Sequence, residues 1–193
     1  MKYKMSYILN KIRSFARNEG GTATVEAIII FPMLVWAIVA MAVFFDAFRV
    51  RSVNLKAAYT ISDMISRENP FVGPNYIGGL NTVYDFLAAS ANPTWVRVTL
   101  VQFDTEDPFD DSDGVHILQW SHGTNGKPDL TQASMLLEVD SRIPVMGHGD
   151  SLILVETHMQ YVPFLDIGLQ PYALDNFIAT RPRFTPPQWN EAY

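Results

Sequence analysis

Residues 21–45 read GTATVEAIIIFPMLVWAIVAMAVFF, from Gly21 to Phe45. Glu26 stands at the fifth position after Gly21, and the nineteen residues from Ala27 to Phe45 carry no charge. As a helix rising ~1.5 Å per residue, that run covers the ~30 Å hydrocarbon core of a bilayer. Glu26 and Asp46 bracket it. Pro32 removes one backbone donor near the carbonyl of Ile28, a change that membrane helices tolerate with a mild kink. The segment predicts a single membrane span.

The flanks differ sharply in charge. Residues 1–20 hold Lys2, Lys4, Lys11, Arg13 and Arg17 against Glu19, residues 21–68 balance four basic against four acidic, and residues 69–193 hold five basic and fifteen acidic side chains. A basic start before an apolar span places the N-terminus in the cytoplasm. The acidic remainder then lies outside it, in the periplasm of a cell with two membranes. It has no basic face, which argues against nucleic-acid binding. There is no cysteine, so disulfides and thiolate chemistry are excluded.

Beyond the span, Asp46 to Glu68 contains no proline or glycine. Val50, Val53, Ala57, Ile61 and Met64 form one apolar stripe, predicting a helix that continues to residue 68 and packs on the following domain. Asn69-Pro70 ends it. A turn over Asn69 to Gly79 then leads to a short helix over Leu80 to Ala91, with Val83, Phe86 and Leu87 as its apolar face. The period changes to two at Trp95 to Phe103, where Val96, Val98 and Leu100 alternate with Arg97 and Thr99. Val115 to Trp120, Met135 to Val139 and Ser151 to Val162 read as further strands. In the last, Ile153, Val155, Met159 and Tyr161 oppose Glu156, His158 and Gln160. The tail after Pro163 reads as irregular. Strands without crossover helices between them predict an antiparallel sheet, and the whole an α+β fold. The domain boundaries follow: 1–21 a basic leader, 22–68 the membrane and amphipathic helix, and 69–193 a periplasmic α+β domain.

A carboxylate at the edge of an apolar helix needs a partner. If a peptidase cuts after Gly21, Thr22 becomes a free α-amine one helical turn from Glu26. The Glu26 carboxylate then neutralises that amine or the amine of a neighbouring subunit.

Gly21, the Thr-Ala-Thr-Val spacer, Glu26 and the apolar run resemble a type IV prepilin processing site. With the short basic leader, the mid-run proline and the helix continuing through Asp46, residues 14–68 most resemble TadE-like proteins of the tight-adherence (Tad, or Flp) pilus machinery. The resemblance implies an inner-membrane pseudopilin or minor pilin, cut by a prepilin peptidase after Gly21. Its implied partners are the membrane, that peptidase, other pilins and the inner-membrane pilus assembly proteins. Ala27 stands where relatives commonly place an aromatic, and Thr22 where pilins proper often place phenylalanine. These departures and the large acidic domain set the chain apart from major pilin subunits.

Ala40-Met41-Ala42 matches a signal-peptidase pattern, but the segment is long for a signal peptide and Glu26 interrupts its start. An uncleaved membrane-anchored scaffold or binding domain is one alternative, and a periplasmic hydrolase using Glu156 and His158 is another. Residues 104–114, DTEDPFDDSDG, are acid-dense but lack calcium-loop spacing, so a solvated loop is expected. His116, His122, His148 and His158 show no metal-ligand spacing, and Ser151 lacks a nucleophile-elbow context. No catalytic residue, metal or cofactor is assigned.

Overall fold

The computed structural model describes residues 11, 13–15, 21–105 and 114–193. Most of the leader and the acid-dense residues 106–113 lie outside the described residues, and with them the expectation of a solvated loop. The fold is α+β: a long apolar N-terminal helix, then an antiparallel four-stranded sheet.

Helix α1 spans Thr22–Ser66 and runs through Pro32 without interruption. It passes from one compact unit, residues 1–45, into a second, residues 46–193. In the first unit Ile28, Ile29, Phe31, Met33, Trp36, Met41 and Phe45 are all exposed. The helix is long and apolar enough to cross a membrane.

In the second unit α1 turns amphipathic. Ala47, Asn54, Ala57, Ala58, Ile61, Ser62 and Ile65 are buried, with Val50 and Val53 half-buried. Met64, expected on the stripe, is exposed, and Asn54, a polar residue, takes a central place.

Strand β1 (Phe71–Val72) and helix α2 (Pro74–Ala88) replace the expected turn over 69–79. Pro74 sits at the start of α2, where its missing N–H costs nothing. The buried face of α2 is Ile77, Leu80, Asn81, Tyr84 and Ala88, whereas Phe86, expected inside, is exposed. Strand β2 (Thr94–Asp104) follows, then β3 (Val115–Gly123), helix α3 (Gln132–Glu138), a 3-10 turn at Asp140–Arg142, β4 (Ser151–Tyr161), β5 (Tyr172–Thr180) and β6 (Gln188–Trp189).

Two further expectations are overturned. Met135 to Val139 is not a strand: it falls on α3, whose Thr131 and Ser134 cap the first turn reciprocally. The tail is not wholly irregular either, because β5 is a full strand of the sheet.

The sheet order is β3-β2-β4-β5, antiparallel throughout, with β1 and β6 paired in parallel beside it. One face carries Val96, Val98, Leu100, Ile153, Val155, Met159, Leu174 and Ile178 into a core shared with α1 and α2. The opposite face carries Val101, Phe103, Leu152 and Leu154 against Leu130, Met135, Val139 and Met146.

Polar residues tie α1 to the first core. Asn54, 1% exposed, donates to the Tyr84 hydroxyl at 2.6 Å and accepts from the Asn176 amide. Asn176 also donates to Thr157 at 3.0 Å. Tyr161 donates to Asp46 at 2.9 Å, and Arg183 joins Asp63 and the Ser66 carbonyl.

Burial raises the Tyr84 phenol above its ordinary value of 10, against hydrogen bonds from Thr157 and Asn54 that favour its anion. Burial, helped by the Asp46 carboxylate, pushes Tyr161 up to about 12. A folded-state pKa above the unfolded one contributes stability below pH 10 that is lost as pH rises through the folded value. The domain is therefore expected to lose stability steeply between pH 10 and about 12. Tyr161→Phe should flatten that loss in alkaline unfolding followed by circular dichroism. An unchanged pH profile would contradict it.

Candidate functional site

The N-terminal segment places its motif in simple geometry. Gly21 is exposed and stands immediately before Thr22, the first residue of α1. Glu26 lies four residues further on, ~6 Å along the axis at 1.5 Å per residue. It is exposed and makes no ion pair with any described residue. The helix thus holds the Glu26 carboxylate about one turn from the Thr22 nitrogen. Pro32 lies six residues beyond Glu26, so the turn linking Thr22 and Glu26 keeps its own hydrogen bonds.

Each of the four histidines has its own aspartate, a pattern that sequence spacing did not reveal. His116 Nδ1 lies 2.7 Å from Asp140, His158 Nδ1 lies 2.6 Å from Asp175, His148 Nδ1 lies 3.3 Å from Asp104, and His122 Nδ1 lies 3.6 Å from Asp129. The pairs are separate. Among the described residues no group of three His, Asp or Glu converges to hold a metal.

Glu156 and His158 occupy adjacent same-face positions on β4 but serve different partners. Glu156 accepts from Arg97 Nε at 2.6 Å, and Arg97 also donates to the Pro128 carbonyl at 3.2 Å. Glu138 lies 3.5 Å from the same guanidinium. Arg97 is 2% exposed, so this is a buried ion pair. His158 instead stacks on Trp95 at 5.3 Å and 2°, and Lys127 lies 4.3 Å from the Trp95 ring. Ser151 lies at the start of β4, seven residues from His158. Glu156, His158 and Ser151 are not brought together as a catalytic set.

Two open recesses flank the Trp120–Trp189 pair. The larger, ~510 Å³, is lined by Trp120, Trp189, His122, Leu130, Asp129 and Glu191 among others. The smaller, ~430 Å³, adds Gln102, Gln119 and Gln188. Trp120 is anchored by its indole N–H to the Pro187 carbonyl at 2.9 Å. No local pattern in the sequence marks this feature, because Trp189 lies in a tail that reads as irregular.

Compared with protein-family models, curated proteins and solved structures, the chain matches none.

Proposed function

We propose that the chain is a membrane-anchored, TadE-like pseudopilin or minor pilin of a tight-adherence pilus assembly system. It sits in the inner membrane, with its N-terminus in the cytoplasm and its acidic domain in the periplasm. The observation that carries this reading is α1 itself. One unbroken helix of 45 residues is exposed and apolar in its first half and packs on an α+β domain with its second. That is the architecture expected of a pilin-type subunit, and Gly21 and Glu26 stand at the processing spacing in front of it. The mechanism is helix packing within the bilayer, with Glu26 compensating the Thr22 amine after the prepilin peptidase has cut. Other pilins and the inner-membrane assembly proteins are the partners.

Glu26→Ala tests the mechanism. Membrane insertion should survive, since removing a charge makes the segment more apolar. Assembly should weaken. Unit charges 4 Å apart attract by roughly 4 kcal/mol at an effective dielectric near 20, and desolvation offsets much of that. Repeated over many packed helices, the remainder matters. Glu26→Gln should fall between the parent and Glu26→Ala. Surface piliation and co-purification with the pilus machinery are the readouts. Parental piliation by Glu26→Ala would sink the charge-compensation role, and a block at cleavage would reassign Glu26 to peptidase recognition.

A further inference from the structure

The connection between β4 and β5 turns three large apolar side chains toward solvent. Val162, Phe164 and Leu165 are 52%, 59% and 46% exposed. The segment, VPFLDIGLQP over 162–171, has Asp166 as its single charge. Its place in the second unit is set at two points. Tyr161, just before it, donates to Asp46 at 2.9 Å and packs on its cross-strand partner Tyr172 at 5.3 Å. Leu169, within it, packs against the same core as Ala47 and Val50. The loop therefore stands beside the Asp46 end of residues 46–66.

The sequence gives Asp46 a depth. The uncharged run from Ala27 to Phe45 measures ~28 Å at 1.5 Å per residue, which uses the ~30 Å of hydrocarbon. With its headgroups a bilayer is ~40–45 Å thick, so each headgroup layer is ~5–7 Å deep. Counted along the helix from Asp46, that layer extends to about Arg51. Arg49 and Arg51 fall within it; both are exposed, and neither pairs with a described residue. Phe48, between Asp46 and Arg49, is 67% exposed. Tyr161 and Tyr172 stand at the level where amphipathic rings gather in membrane proteins.

We propose that the β4–β5 loop is a second contact with the phospholipid bilayer: Val162, Phe164 and Leu165 enter the boundary between headgroups and acyl chains, and Arg49 and Arg51 bind lipid phosphates. This contact presupposes the membrane-anchored reading, and all its residues belong to the second unit. Lipid is the occupant because the loop is tied to the residue at which the apolar run ends. A bilayer crossed by α1 brings its headgroups to that residue, and a protein partner would have to displace them. The guanidinium forks match phosphate oxygens, and their stems can lie along apolar surface. No anionic lipid is required, since Arg49 and Arg51 balance Asp46 and Asp166. Val145 is more exposed still, at 95%, but its neighbour Met146 packs on the sheet face opposite α1, and it has no tie to Asp46. It is the natural control.

The chain has no cysteine, so an introduced one reports a single position. Phe164→Cys, Val145→Cys and Trp36→Cys each carry a fluorophore in the full chain, reconstituted at one chain per phosphatidylcholine nanodisc. A quencher on the lipid chain near the headgroup and iodide in water read the depth. Position 164 should be quenched by the lipid at least fivefold more than position 145, and by iodide at least fivefold less. Leu165→Asp added to Phe164→Cys, or Arg49→Glu with Arg51→Glu, should cut the lipid quenching at least threefold. All these side chains are exposed, and circular dichroism certifies the fold of each variant. If position 164 behaves like 145 while 36 is quenched by lipid, the loop contact is wrong and the anchored reading stands. If position 36 also escapes the lipid quencher, both fall. Lipid quenching that ignores Leu165→Asp would come from the fluorophore and overturns the proposal. So does a position 164 open to iodide in nanodiscs but shielded in native membranes, which would hand the loop to a protein partner.

Discussion

Replacing Arg97 with alanine is expected to destabilise the domain by about 3–5 kcal/mol, the cost of leaving one partner of a buried ion pair without the other. Glu156 is 8% exposed, so its carboxylate cannot recover water when the guanidinium goes. The Pro128 carbonyl loses its donor as well. Glu138 suffers least, because half its side chain already meets solvent. For a domain of this size the loss should lower the thermal midpoint by roughly 10 °C or more. The double variant Arg97→Met with Glu156→Leu separates the ion pair from the burial. Two apolar chains of similar volume should return most of the stability, since well-packed replacements of buried pairs are often neutral or stabilising. Thermal unfolding of the full chain in detergent, followed by circular dichroism, measures both. A single variant that unfolds within a degree or two of the parent would show that water reaches Glu156.

The second large effect concerns processing. Gly21→Trp is expected to leave the leader attached, whereas the parent chain should start at Thr22. The substitution is informative because Gly21 stands before the first residue of α1, far from the packed domain in the chain. Among the described residues no atom lies within 4 Å of a Cβ placed at Gly21, and the residue is exposed. Any change in the mature N-terminus therefore reports on the peptidase and not on unfolding. Intact mass of the membrane-extracted protein reads the outcome. A parent chain that keeps Met1 would remove cleavage from the mechanism, and one that starts at Val43 would make the apolar run a signal peptide.

Much of the fold was legible in the residues. The 45-residue helix shows as an uncharged run joined to an amphipathic stripe without a breaker, and β2, β3 and β4 show as alternating segments bounded by turns. β5 was hidden for a specific reason. Its inward face reads Tyr172, Leu174, Asn176, Ile178, and the asparagine breaks the apolar alternation. Asn54 breaks the stripe of α1 in the same way. Each is satisfied by the other, a pairing 122 residues apart in the chain that no local pattern reports.

The face carrying Arg97 and Glu156 likewise shows its alternation in the sequence but not its burial. Alternation tells which side chains share a face. Only the packing of α3 and residues 128–146 tells that this face is also covered. Gly21 and Glu26 were legible because their spacing is local, while the histidine–aspartate pairs span 7 to 44 residues and were not.

The order in which the chain is made gives the α1–β5 packing a further meaning. Synthesis delivers α1 first and its cover last. Ala57, Ala58, Ile61 and Ile65 emerge with no strand to lie on, and Asn176 and Arg183, which lock the helix in place, arrive more than a hundred residues later. At about 5–20 residues per second that interval is on the order of ten seconds. Throughout it a half-apolar helix stands uncovered beside other newly made proteins. The domain is thus a late-closing device. A chain cut short before β5 would carry a permanently uncovered stripe, and the cell would meet it as a substrate for chaperones and proteases rather than as a smaller version of the same protein.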